Sequence, residues 1–119
     1  MHATHLLKSS KVIAVDLDGT LAQYSTFKGI DVIGSPIKPM VQKVKAELKK
    51  GSDIQILTAR AHPWKGKAQQ AKAIKAVEAW SKKHLGKKLK VTCEKHPLME
   101  ELWDDRAKEV IKNTGRFKH

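Results

Sequence analysis

Lys11-Val12-Ile13-Ala14-Val15-Asp16-Leu17-Asp18-Gly19-Thr20-Leu21 is the stretch on which the fold turns. Its first half is a short apolar run, the pattern of a strand buried on both faces of a parallel sheet. Its second half places two acids, a glycine and a threonine directly beyond that strand. An apolar strand that ends in acids points those acids at the carboxyl edge of a sheet, where open α/β folds bind ligands. Gly19 allows the tight backbone turn that would swing Asp18 back toward Asp16.

Working outward, Ala22 to Gly34 mixes Tyr24, Thr26, Phe27, Ile30, Val32 and Ile33 with Gly29. This predicts a hairpin-like flap over about 22–34. Ser35-Pro36-Ile37-Lys38-Pro39 punctuates the chain, and Pro39 suits a first helical position. Met40, Val41, Val44 and Leu48 follow at helical spacing, with Gly51 as the stop. Asp53-Ile54-Gln55-Ile56-Leu57-Thr58 alternates as a strand does. A helix is expected from about Pro63 to Leu85, with Ala73, Ile74, Val77 and Trp80 as its apolar stripe and Gly86 at its end. Lys90-Val91-Thr92 is a short third strand. Leu98 to Trp103 reads as either a turn of helix or a strand, and it feeds Asp104-Asp105. A last helix is expected over Ala107, Val110 and Ile111, ending near Gly115.

Strands that alternate with helices predict an α/β fold with a central parallel sheet flanked by helices. The chain has 119 residues, which suits a single domain spanning 1–119. No internal repeat and no linker divides it.

Four groups fall at or just beyond predicted strand ends: Asp16 with Asp18, Thr58, Lys95, and Asp104 with Asp105. A carboxylate such as Asp16 can attack phosphorus and split one hard displacement into two easier ones. A second carboxyl two residues on, Asp18, can protonate the leaving oxygen and later activate water. The acids near Asp16, with Asp104 and Asp105, make a hard oxygen donor set of the kind Mg²⁺ prefers. Such an ion offsets repulsion between nucleophile and phosphate. The Thr58 hydroxyl can donate to a phosphate oxygen, and Lys95 can neutralise developing charge, with Lys90 as its rival. Thr20 and Arg60 are the candidate substrate-binding residues, Arg60 because it lies just beyond Thr58. The plainer alternatives are acidic turn residues after a strand, a helix N-cap at Asp104 or Asp105, and an ordinary surface arginine at position 60. A calcium loop is a poor fit, since the acid required at its twelfth position falls on Phe27.

Taken in order, Asp16-Leu-Asp18-Gly-Thr20, Thr58-Ala-Arg60, a lysine, and Asp104-Asp105-Arg106 resemble the four motifs of the haloacid dehalogenase superfamily. The resemblance runs from Lys11 to about Gly115. It implies a Rossmann-like sheet, Asp16 as nucleophile and Asp18 as general acid and base. It implies Thr58 as phosphate ligand and Lys95 as the charge-stabilising lysine. Mg²⁺ would be held by the Asp16 carboxylate, the Asp18 backbone carbonyl and Asp104, with Asp105 close by. An acid at position 18 is similar to the phosphatases of that family and unlike its dehalogenases. No stretch between Leu21 and Thr58, or between Arg60 and Lys95, is long enough for a cap domain. The chain therefore resembles a capless member, with the flap as its only lid. Its layout is also similar to the phosphatase half of polynucleotide kinase–phosphatases and to small hydrolase-like proteins of bacteria and phages.

The chain carries 24 Lys and Arg against 12 Asp and Glu, a formal net charge of +12. Such a balance favours phosphorylated or polyanionic partners. The expected substrate is a phosphorylated small molecule, a nucleotide or a nucleic-acid end. The alternative is a basic binding module for nucleic acid or an acidic partner, with little turnover. Lysines 65, 67, 72, 75, 82, 83, 87, 88 and 90 fall in one stretch. Helical spacing spreads Lys65, Lys72, Lys75, Lys82 and Lys83 over much of the exposed face, as a solvated surface would require. Trp80 and Trp103 read as core residues, and Trp64, after Pro63, as the one tryptophan placed to touch substrate. The single cysteine, Cys93, permits no internal disulfide. Met1 to Ser10 lacks the apolar core of a secretory signal, and no apolar run approaches the roughly 20 residues of a membrane span. A cytoplasmic protein without a membrane partner is expected. The six histidines show no metal-ligand spacing.

Overall fold

A computed structural model describes residues 11–119. The reading of Met1–Ser10 and of His2 and His5 lies outside those residues. Four strands form: β1 (Val12–Val15), β2 (Asp53–Leu57), β3 (Lys90–Thr92) and β4 (Met99–Trp103). They pair in parallel, in the order β3-β2-β1-β4. The ambiguous stretch at Leu98–Trp103 is thus a strand. It lies beside β1, with a register shift between Val12 and Ile13.

Two helices connect the first three strands. α1 (Lys38–Lys49) takes Ile37 as its N-cap and has a proline in its first turn, where the missing N–H costs nothing. It ends at Lys50, and Gly51 then adopts φ +93°, the left-handed backbone expected of a stop. α2 (Lys67–Leu85) starts four residues later than its sequence pattern suggests. Pro63–Gly66 closes a turn, with the Gly66 amide donating to the Pro63 carbonyl at 3.0 Å. Gly86 caps the helix in the left-handed conformation.

The β1-α1-β2 and β2-α2-β3 crossovers step in the same direction across the sheet. Right-handed crossovers of that kind place both helices on one face. One apolar cluster reflects this. It joins Ile13, Val15, Ile54 and Ile56 of the sheet to Val41 and Val44 of α1 and to Val77, Trp80 and Leu85 of α2. On the opposite face the Gln55 side chain is buried and meets the His96 ring at 3.2 Å, in the connection from β3 to β4.

Two expected elements differ. No helix forms after Trp103. Val110 and Phe117 instead form an antiparallel bridge, and the Ile111 amide donates to the Arg116 carbonyl at 2.8 Å around a turn with positive φ at Asn113 and Gly115. Val110 and Ile111 remain exposed, so a helix there would have no apolar surface to cover. The flap is not a two-stranded hairpin. One bridge, Ala22 to Pro36, and one bond, Gln23 N–H to Ser35 O at 2.8 Å, close its base. Two carbonyls at its tip turn inward to a side chain and leave no ladder to form. At the base, a Cβ on Gly34 would stand 2.0 Å from the Gln23 carbonyl oxygen, so only glycine fits. The indole N–H of Trp80 donates to the Gly34 carbonyl at 3.0 Å and ties the flap to α2. No described helix is long and apolar enough to cross a membrane.

Candidate metal and catalytic site at the carboxyl edge

Three of the four strands end directly before a candidate site residue. β1 stops at Val15 and delivers Asp16; β2 stops at Leu57 and delivers Thr58; β4 stops at Trp103 and delivers Asp104 and Asp105. Because β1 and β4 are parallel neighbours, residues 88 or more apart in sequence meet at one edge. The Asp16 amide donates to the Trp103 carbonyl at 2.8 Å and fixes the level of the two strand ends. Asp16, Asp104 and Asp105 each offer a carboxylate oxygen, and these oxygens lie within 4.8 Å of one another. This all-oxygen, anionic set can hold a metal ion, and suits a hard divalent cation such as Mg²⁺.

The electrostatics agree. Burial pushes the Asp16 carboxyl up to about 7, and the Asp104 and Asp105 carboxylates push in the same direction. Three carboxyl groups this close repel one another. A bound divalent cation removes that repulsion.

Thr20 organises the cluster. Its buried hydroxyl lies 3.3 Å from both Asp16 Oδ2 and Asp105 Oδ1, so either can accept its proton. The same oxygen accepts the Asp105 N–H at 3.1 Å. Gly19 turns the chain with φ +87°. A Cβ there would stand 2.6 Å from Asp105 Oδ2. The glycine thus serves both the turn and the close approach of a carboxylate.

The Asp18 carboxylate is not among these clustered oxygens. It forms a two-bond pair with Arg60, Nε to Oδ2 at 2.8 Å and Nη2 to Oδ1 at 3.0 Å. Arg60 Nη1 also donates to the flap carbonyls of Gly29 at 2.7 Å and Ile30 at 3.0 Å. Thr58 is buried and caps the short 3₁₀ turn Ala59–Ala61, its hydroxyl oxygen accepting the Arg60 N–H at 3.2 Å. That leaves the hydroxyl proton of Thr58 available to a ligand.

Lys95 lies beyond β3 in the exposed connection to β4 and makes no hydrogen bond or ion pair among the described residues. Lys90 opens β3, level with Gln55, which lies three residues before Thr58. Of the tryptophans, Trp80 is buried and Trp103 half-buried, its indole N–H donating to Glu101 at 2.9 Å. Trp64 is exposed, with the Lys65 ammonium 4.7 Å from its ring centroid. A groove of about 490 Å³ lies inside the flap, bounded by Tyr24, Thr26, Lys28, Val32 and Arg60 among others.

The structure therefore brings Asp16, Asp104, Asp105 and Thr20 together, and joins Asp18 to Arg60. Sequence reasoning missed the roles of Gly29 and Ile30, whose carbonyls hold Arg60. Backbone carbonyls carry no side-chain signal, and Gly29 was the one visible mark. Comparison of the chain with protein-family models, with curated proteins and with solved structures returns no match.

Proposed function

We propose that this protein is a Mg²⁺-dependent phosphomonoesterase that works through an aspartyl phosphate on Asp16. The observation that carries this reading is the meeting of Asp16 with Asp104 and Asp105 at the carboxyl edge of adjacent parallel strands. The order of motifs, which resembles the haloacid dehalogenase superfamily, supports it. So does an acid at position 18, two residues past the nucleophile.

Asp16, Asp104 and Asp105 would hold the ion, which supplies charge neutralisation for an anionic phosphoryl group. An Asp16 carboxylate oxygen attacks phosphorus, and the bond from phosphorus to the ester oxygen breaks. Asp18 passes the proton that the leaving oxygen takes up. Water then attacks the acyl phosphate, Asp18 receives its proton, and inorganic phosphate leaves with Asp16 restored. Thr58 donates its hydroxyl proton to a phosphoryl oxygen, and Lys95 offsets charge on the phosphoryl group. Substrates are phosphorylated small molecules, nucleotides or nucleic-acid ends, drawn in by the net positive charge.

The test is phosphate release from p-nitrophenyl phosphate, nucleoside monophosphates and phosphorylated oligonucleotides, with Mg²⁺ and with EDTA. Release that requires Mg²⁺ and disappears in Asp16→Asn supports the reading. Release that persists in Asp16→Asn, or is absent with every substrate, overturns it.

A further inference from the structure

Arg60 is a charged side chain that the sheet edge buries almost completely, at 5% exposure. A guanidinium so placed is stable only when its N–H groups are paired. Two of its five N–H groups go to the two Asp18 oxygens and two to successive carbonyls, Gly29 and Ile30. The Phe27 ring covers it, with its centroid 5.4 Å from the guanidinium carbon. Four donors are thus committed to the protein itself.

Successive carbonyls of an extended chain point in opposite directions. To aim both at one guanidinium, the chain must turn between them, and it does so in a turn centred on Ile30 and Asp31, which Gly29 leads into with φ +141°, a backbone that other residues rarely adopt. The Gly29 carbonyl also accepts the Val32 amide at 3.2 Å. The flap is thus shaped around Arg60, and its tip has no strand ladder to hold it otherwise. Arg60 is in turn fixed by the 3₁₀ turn that Thr58 caps. One residue therefore joins three parts: the turn that carries Thr58, the carboxylate of Asp18, and the flap.

We propose that Arg60 is a positioning residue that latches flap residues 27–30 onto Asp18, holding that carboxylate in one orientation and the flap against the turn that carries Thr58. It acts in place of a direct substrate ligand. The catalytic consequence rests on the phosphomonoesterase reading above; the latch itself does not. Because Arg60 also walls the flap groove, the latch sets the shape of that groove.

The experiment has two arms. The first needs no turnover: hydrogen exchange of the flap amides, Gln23 and Val32 above all, by mass spectrometry on the metal-free chain. Arg60→Lys keeps the charge and loses the fork. Exchange in the flap should rise by about tenfold or more in Arg60→Lys, the effect of losing charge-assisted hydrogen bonds. Asp18→Asn should raise it in the same peptides, with α1 unaffected in both variants. Unchanged flap exchange in either variant overturns the latch. The second arm is steady-state hydrolysis of p-nitrophenyl phosphate. Arg60→Lys should lower kcat by about 100-fold, the cost of a misplaced catalytic group, with KM within about twofold. Added to Asp18→Asn, it should lower kcat by less than about twofold, because the two residues act as a unit. A rise in KM at constant kcat, or losses that multiply in the double variant, would make Arg60 a substrate ligand and overturn the proposal. A wild-type chain without turnover but with the expected exchange pattern would reject the phosphomonoesterase reading and leave the latch standing.

Discussion

The carboxylate of Asp105 occupies the space that a side chain on Gly19 would need, with Oδ2 2.6 Å from the position of a Cβ. The loop after β1 and the segment after β4 are fitted to each other across 86 residues of sequence. Gly19→Ala should lower stability by about 1–2 kcal/mol through its positive φ alone. It should also displace the Asp105 carboxylate and weaken Mg²⁺ binding. Denaturant melts and Mg²⁺ titration check the two effects separately, and unchanged Mg²⁺ affinity would contradict the fit.

Thr20 holds the same pair of elements by hydrogen bonds. Thr20→Val keeps the shape but removes the acceptor of the Asp105 N–H and the donor between Asp16 and Asp105. A loss of about 1–3 kcal/mol is expected, the cost of leaving a part-buried polar group unpaired. Thr20→Ser should recover most of it. Urea unfolding of the three chains makes the comparison.

The contribution of the Asp16 carboxyl to the stability of the metal-free protein should fall as pH rises from about 4 to about 7. The Asp16 carboxyl is raised to about 7 in the folded chain, against about 4 when unfolded. Folding therefore takes up a proton in that window. Its favourable contribution is complete below about pH 4 and is lost as pH rises through the folded value. The difference between wild type and Asp16→Asn, measured in EDTA by urea unfolding across pH 4 to 8, isolates this group from the histidines. A difference that does not vary with pH contradicts it.

The two candidate lysines separate by position. Lys90 opens β3 below the edge, whereas Lys95 follows the end of that strand. Under the proposed reaction, Lys95→Ala should lower kcat about 100-fold, in the range seen on removing a charge-stabilising group. Lys90→Ala should leave it within about twofold. Parallel steady-state assays decide between them.

Much of this arrangement was legible because the pattern of burial and the direction of the strands are local properties. The apolar run before Asp16 announced β1, and alternation in Asp53–Leu57 announced β2. A parallel sheet then required their following residues to share one edge. What escaped the sequence depended on distant partners. Ala107, Val110 and Ile111 carry helical spacing, but nothing in the sequence says that no surface waits to cover them. The flap residues carry strand propensity, yet the carbonyls of Gly29 and Ile30 bond to Arg60 in place of a strand partner. The Arg60–Asp18 pair joins residues 42 apart, and only the folded turn after Thr58 brings them together.

The central claim is that Asp16 itself takes the phosphoryl group. The most direct measurement is to quench the Mg²⁺-supported reaction in acid during turnover. Borohydride reduction then converts any aspartyl phosphate to the homoserine level, and peptide mass spectrometry locates the reduced residue. With p-nitrophenyl phosphate as substrate, the account predicts reduction at Asp16, at no other aspartate, and more of it in Asp18→Asn. There p-nitrophenolate still leaves without a proton, but the attacking water has lost its base. Steady phosphate release with no reduced Asp16 in either chain, or reduction at a different aspartate, would contradict it.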